Sequence, residues 1–192
     1  MTHSIGPKTT SVNAEGEPDG FTPPLAYYGE VEPSGMTRLV ISSPHEATHA
    51  LHAKLIQALK PPLGFLYRQM VHRQDPAPEG SPPLDYVALE LSLDRVLEAL
   101  EHAKDLVYHD ARCEVWIRGG LQEQLVLDED GVLYMYPDDP AFRDVLEAEG
   151  IPDTRVRTLA DVDYPKRWFH GQNDPLETAL MEQLGLVEVA HR

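Results

Sequence analysis

Cysteine occurs once, at Cys113, so an internal disulfide framework is excluded and the fold must rest on its core. Basic residues are scarce: 16 Lys+Arg stand against 32 Asp+Glu, a formal net charge of -16. Counterion release cannot favour nucleic-acid binding by such a chain, so nucleic acid is not an expected partner. No run of about 18 apolar residues occurs and the N-terminus lacks a basic-then-apolar leader pattern, so a soluble, cytoplasmic protein without a membrane partner is expected. The sequence also lacks G-x-S-x-G, a Gly-rich phosphate loop and a Walker pattern, leaving no motif-based enzyme class and no expected cofactor.

The clearest positive signal lies at residues 84–118. Tyr86 to Leu91 alternates with strand spacing, Val87, Leu89 and Leu91 against Tyr86, Ala88 and Glu90. Ser92 stands where a helix N-cap belongs. Leu93, Val96, Leu97, Leu100, Ala103 and Val107 then recur at three- and four-residue steps, an apolar stripe opposite charged residues. Cys113, Val115 and Ile117 alternate with Glu114, Trp116 and Arg118 in a second strand. This alternation points Cys113 into the core, where a free thiol is inert.

The same signals recur on both sides. Leu39 to Ile41 reads as a strand, Ser43-Pro44 with Glu46 as a capping box opening a helix, and Gly64 to Arg73 as another strand. Asp128-Glu129-Asp130-Gly131 between Leu121–Leu127 and Val132–Tyr136 marks a hairpin. Helices are expected after Asp139-Pro140 and from Asp174 to Gly185. The fold class expected is α+β: a ferredoxin-like β-α-β-β-α-β sandwich core with a C-terminal β-hairpin and short helices. Residues 1–35 are expected to be a flexible Pro/Gly-rich N-terminal tail. Residues 36–150 form the ferredoxin-like domain with its hairpin and helix, and residues 151–192 a C-terminal extension packing on it.

Two sets of residues invite function. On the sheet face away from the helices, Tyr86, Glu90, Trp116 and Arg118 are expected as a binding surface, joined by Glu114 and Tyr67. The second set starts from His45-Glu46-Ala47-Thr48-His49, which matches H-E-x-x-H, the zinc-protease pattern in which two imidazoles hold the metal and Glu46 activates water. Its position in a first helical turn, where the dipole is positive, disfavours a cation. The ferredoxin-like order would nevertheless bring His45, His49, His72 and His109 to one edge with Asp110 and Cys113 nearby, a donor set suited to zinc.

The leading functional expectation is an acidic, non-enzymatic binding protein that docks or neutralises a basic protein partner, in the manner of an immunity protein or antitoxin. Its contiguous acidic surface would come from residues 74–110 and 128–149. The alternative is a metal-binding protein or zinc-dependent hydrolase using the histidine edge, and a third reading is self-association into a homo-oligomer.

Overall fold

A computed structural model describes residues 6–72, 81–120 and 122–189. The first part of the chain gives β1 (Thr9–Ser11), β2 (Ala26–Val31), β3 (Thr37–Ser42), α1 (His45–Ala58) and β4 (Leu63–Gln69). There follow β5 (Leu84–Leu91), α2 (Leu93–His102), α3 (Lys104–His109), β6 (Cys113–Gly119), β7 (Glu123–Leu127) and β8 (Leu133–Tyr136). The last part gives α4 (Pro140–Ala148), β9 (Pro165–Arg167), α5 (Asp174–Leu184) and β10 (Val187–Val189).

Eight strands form one antiparallel sheet in the order β10-β5-β4-β6-β7-β8-β3-β2, while β1 pairs with β9 separately. The five α-helices among the described residues lie on one face of the large sheet. Leu51 and Leu55 of α1, Val96 and Leu100 of α2, Leu106 of α3, Phe142 and Leu146 of α4, and Leu180 and Leu184 of α5 share one apolar cluster. The strand residues Leu39, Ile41, Phe65, Tyr67, Val115, Ile117, Leu125 and Met135 complete it. Alternation explains the sidedness, since every second strand residue points to the same face.

The mixed α+β class holds, but the strand order is not ferredoxin-like. That arrangement would set β3 between β5 and β6; here β4 separates β5 from β6, and β6, β7 and β8 separate β4 from β3. The hairpin sets how far out β3 lies. β7 folds back onto the free edge of β6, β8 follows through the Asp128–Gly131 turn, and β3 pairs beyond β8. The position between β5 and β6 that a ferredoxin-like β3 would need is filled by β4, which pairs with both, and sequential strands joined by short turns take the next places.

The stretch expected as a tail contains two strands. β2 pairs with β3 along its full length, from Ala26 opposite Ser42 to Val31 opposite Thr37, and β1 pairs with β9. Prolines and glycines are spaced widely enough to leave the apolar island at Ala26–Tyr28 free to pair, and these three residues are buried. Of the stretch 74–110 expected to contribute acidic surface, residues 74–80 lie outside the described residues.

Local signals account for several joins. The Ser92 side chain accepts from the Arg95 amide at 3.3 Å and caps α2, and the Asp139 side chain accepts from the Ala141 amide and caps α4. α5 ends on Gly185 in the left-handed region, φ 68°, as a glycine C-cap does. The capping box expected at Ser43 and Glu46 is not formed. Ser43 Oγ is instead 2.8 Å from Thr48 Oγ1, which donates to the Pro44 carbonyl, and Glu46 pairs with His45.

Candidate functional site

The outer sheet face, opposite the helices, is built in rows. Cross-strand partners share a face, so Val87, Leu66 and Trp116 form one row across β5, β4 and β6. Asp85, Arg68 and Glu114 form the row below it. Arg68 donates Nε and Nη2 to the two Asp85 carboxylate oxygens at 2.8 and 2.9 Å, and its guanidinium lies 4.9 Å from the Trp116 ring centroid. The Trp116 indole N–H donates to Glu114 at 2.9 Å. Gly64 completes the row above: a Cβ there would stand 3.3 Å from Leu89 Cδ2 and 3.7 Å from Arg118 Cβ. Val187 on β10 pairs opposite Val87 and extends the apolar band to the sheet edge. Among the described residues Leu89 and Val187 are the most exposed large apolar side chains, at 69% and 68%.

Trp116 and Arg118 therefore face outward, but Tyr86 does not. It pairs opposite Tyr67 on the helix side, the two rings 6.5 Å apart, and Tyr67 is fully buried. The cause is a bulge. Leu63 pairs with Leu91 and Phe65 with Ala88, so β5 spends one residue more than β4 over this step. Glu90 absorbs it in the left-handed region, φ 58°. Strict alternation would put Leu91 with Val87 and Leu89; the bulge returns Leu91 to the core and leaves Val87 and Leu89 outside.

The histidines are divided between two places. His45 and His109 lie 6.2 Å apart, ring centroid to centroid, and His109 Nδ1 donates to the Gly6 carbonyl at 2.8 Å. The His49 ring packs at a tilt against Tyr108, centroids 4.7 Å apart, and reaches Glu101 at 3.3 Å. Burial holds the His49 pKa down, with Glu101 opposing it. His52, one turn further, is fully buried 2.9 Å from the Tyr108 hydroxyl, and burial pushes it down to about 3, so it is neutral. His72 instead lines a pocket with Gln69, Tyr86 and Glu177. The observed strand order explains the separation. The ends of β3 and β4 are four strand spacings apart, roughly 19 Å, where the ferredoxin-like order would have brought them close. Among the described residues no three His, Cys, Asp or Glu side chains could hold one metal ion.

Sequence reasoning missed a buried ionic cluster. Arg112 is fully buried; its Nη2 donates to Asp110 at 2.8 Å and its Nη1 to Asp174 at 2.6 Å and Glu177 at 3.3 Å. Glu177 also accepts from the Tyr67 hydroxyl at 2.6 Å and from Gln69 at 3.0 Å. Burial opposes the Arg112 charge, yet hydrogen bonds to Asp110 and Asp174 hold its pKa above the ordinary value. The cluster pins α5 and the chain before it to the sheet. Asp110 is a local partner, but nothing local marks the cluster as a whole, because Asp174 and Glu177 come from positions 62 and 65 residues downstream. Cys113 sits beside it, and burial pushes its thiol up to about 11, far from a nucleophile's range.

Fold and surface define an acidic α+β protein with one helix-covered and one partly bare sheet face; no helix among the described residues is long and apolar enough to cross a membrane. No protein-family model, curated protein or solved structure matches the chain.

Proposed function

We propose that the protein works by binding, and that its partner is a basic protein engaged through the solvent side of the helix layer. The supporting observation is how the charges are spent. Helix-layer cations are committed within the molecule: Lys54 to Glu149, Lys104 to Glu101, Arg143 to Asp138 and Asp153, and Arg95 to the Gln183 carbonyl. Asp94 and Glu98 on α2, Asp144 and Glu147 on α4 and Glu182 on α5 are exposed. With a net charge of -16, a surface of this kind steers a basic partner and repels acidic ones.

The test is capture of the native partner, its identification by mass spectrometry, and titration of the purified pair. A variant carrying Asp94→Asn, Glu98→Gln, Asp144→Asn, Glu147→Gln and Glu182→Gln serves as comparison. A basic partner is expected, bound about tenfold or more weakly by the variant and at high salt. Equal affinity of variant and wild type would remove this reading.

A further inference from the structure

Where the β10 edge of the large sheet meets α5, side chains from four elements enclose a pocket of about 330 Å³. Glu177 and Met181 line it from α5, one helical turn apart and so on the same face of the helix. Leu84 and Tyr86 line it from β5. Glu188 on β10 stands opposite Tyr86 in the strand pairing, which puts both on the helix-covered side of the sheet. His72, just past the end of β4, completes the set. Among the described residues no lysine or arginine lines the pocket.

The pocket is left with negative charge and with unspent acceptor capacity. Glu177 is 2% exposed. Its ion-pair partner is Arg112, whose single guanidinium is divided among three carboxylates, and the 3.3 Å contact to Glu177 is longer than those to Asp110 and Asp174, 2.8 and 2.6 Å. Glu177 Oε1 accepts from the Tyr67 hydroxyl and the Gln69 amide, and Oε2 accepts from Arg112. An ionised carboxylate offers about four lone-pair sites, so these bonds leave room for a further donor. His72 Nε2 is also buried and has no hydrogen-bond partner among the described residues, a cost that a ligand with N–H groups would remove. Tyr86 feels the field: burial first, then the charges of Glu188 and Glu177, raise its pKa.

We propose that this pocket binds an alkylammonium or alkylguanidinium group, the charged head held by Glu177 and Glu188 and the aliphatic stem lying along Leu84, Met181 and Tyr86. The N–H groups of such a head make charge-assisted hydrogen bonds to the carboxylates, and the Tyr86 ring adds a cation–π contact. An anionic ligand would meet two like charges and no lining cation. A bare metal ion is matched less well, since among the described residues no three His, Cys, Asp or Glu side chains could hold one, whereas an organic cation needs only a carboxylate and an apolar wall. The site stands independently of the basic protein partner proposed above, whose carboxylates on α2 and α4 do not line it.

Titration of the isotope-labelled full chain with butylguanidinium, butylammonium and uncharged butanol, read by NMR at the amides of Tyr86, Met181 and Glu188, tests the site. At least one of the two cations is expected to saturate these amides with a Kd of about 1 mM or tighter, while butanol does not. Glu188→Gln, at an exposed position, should weaken the cation about threefold or more. Glu177→Gln should weaken it further where the variant folds, and Glu188→Gln carries the test where it does not. Acetylarginine amide binding as tightly as butylguanidinium would assign the site to a side chain presented by a peptide, and its exclusion to a free organic cation. Absence of saturable shifts with both cations, shifts spread over the acidic surface, equal binding of butanol, or unchanged affinity in Glu188→Gln would overturn the proposal.

Discussion

Along the outer face of the sheet, Tyr28, Val40 and Tyr134 at the β2 end lie beneath Leu159, Val162 and Phe21, whereas Leu66, Val87 and Trp116 at the β5 end line an open groove. Both ends carry the same kinds of residue at the same alternation. The chain's return path separates them. After α4 it crosses the β2 edge, where the Tyr27 amide donates to the Pro152 carbonyl and the Thr154 amide to the Tyr27 carbonyl. It then lays Leu159 and Val162 over the strands. Arg155 and Arg157 add cation–π contacts there, 5.4 Å from the Tyr28 centroid and 5.1 Å from that of Phe21. At the other end, Arg68 is itself the cover for Trp116. Whether an outward strand residue belongs to a core is thus decided by the chain's later course: for Tyr28 and Val40 the covering Leu159 lies more than a hundred residues away in sequence.

The contrast can be broken most sharply at the covered end. Leu159→Ala should cost about 2–3 kcal/mol in urea denaturation, because it opens a cavity in the small cluster beneath it. At the border between the halves, Asp128→Asn should leave stability unchanged near pH 4. It should exceed the wild type by about 1–2 kcal/mol at pH 8, because the raised Asp128 pKa costs the wild type stability as pH climbs to about 7; thermal melts across pH would show the two curves parting. At the bare end, Glu90→Gly should gain up to about 1 kcal/mol by relieving the left-handed backbone at the bulge, offset in part by chain entropy. The smallest effect is expected for Leu89→Ala, within about 0.5 kcal/mol of wild type, since Leu89 is already in solvent. A loss there as large as that for Leu159→Ala would mean the two halves are not different.

Much of the local structure was readable. The period of three and four at Leu93–Val107 predicts the α2–α3 stretch, although it breaks at Ala103, and Asp128–Gly131 predicts the β7–β8 reversal. The candidate surface was readable in part. Trp116 and Arg118 follow from simple alternation in β6, while Tyr86 is misplaced because one bulged residue inverts the parity of everything before it. No sequence pattern identifies Glu90 as that residue; a glycine there would have been a signal. The histidine edge depended on strand order, and strand order depends on which free edge each hairpin reaches.

Composition and periodicity by themselves determined an acidic α+β chain, its principal helices and the strands on either side of them, because these depend on spacing within ten or so neighbouring residues. Tertiary structure alone decided the position of β3, the closure around Arg112 and the covering of half the outer face. Each of those depends on contacts between segments far apart in the chain, for which local spacing carries no signal.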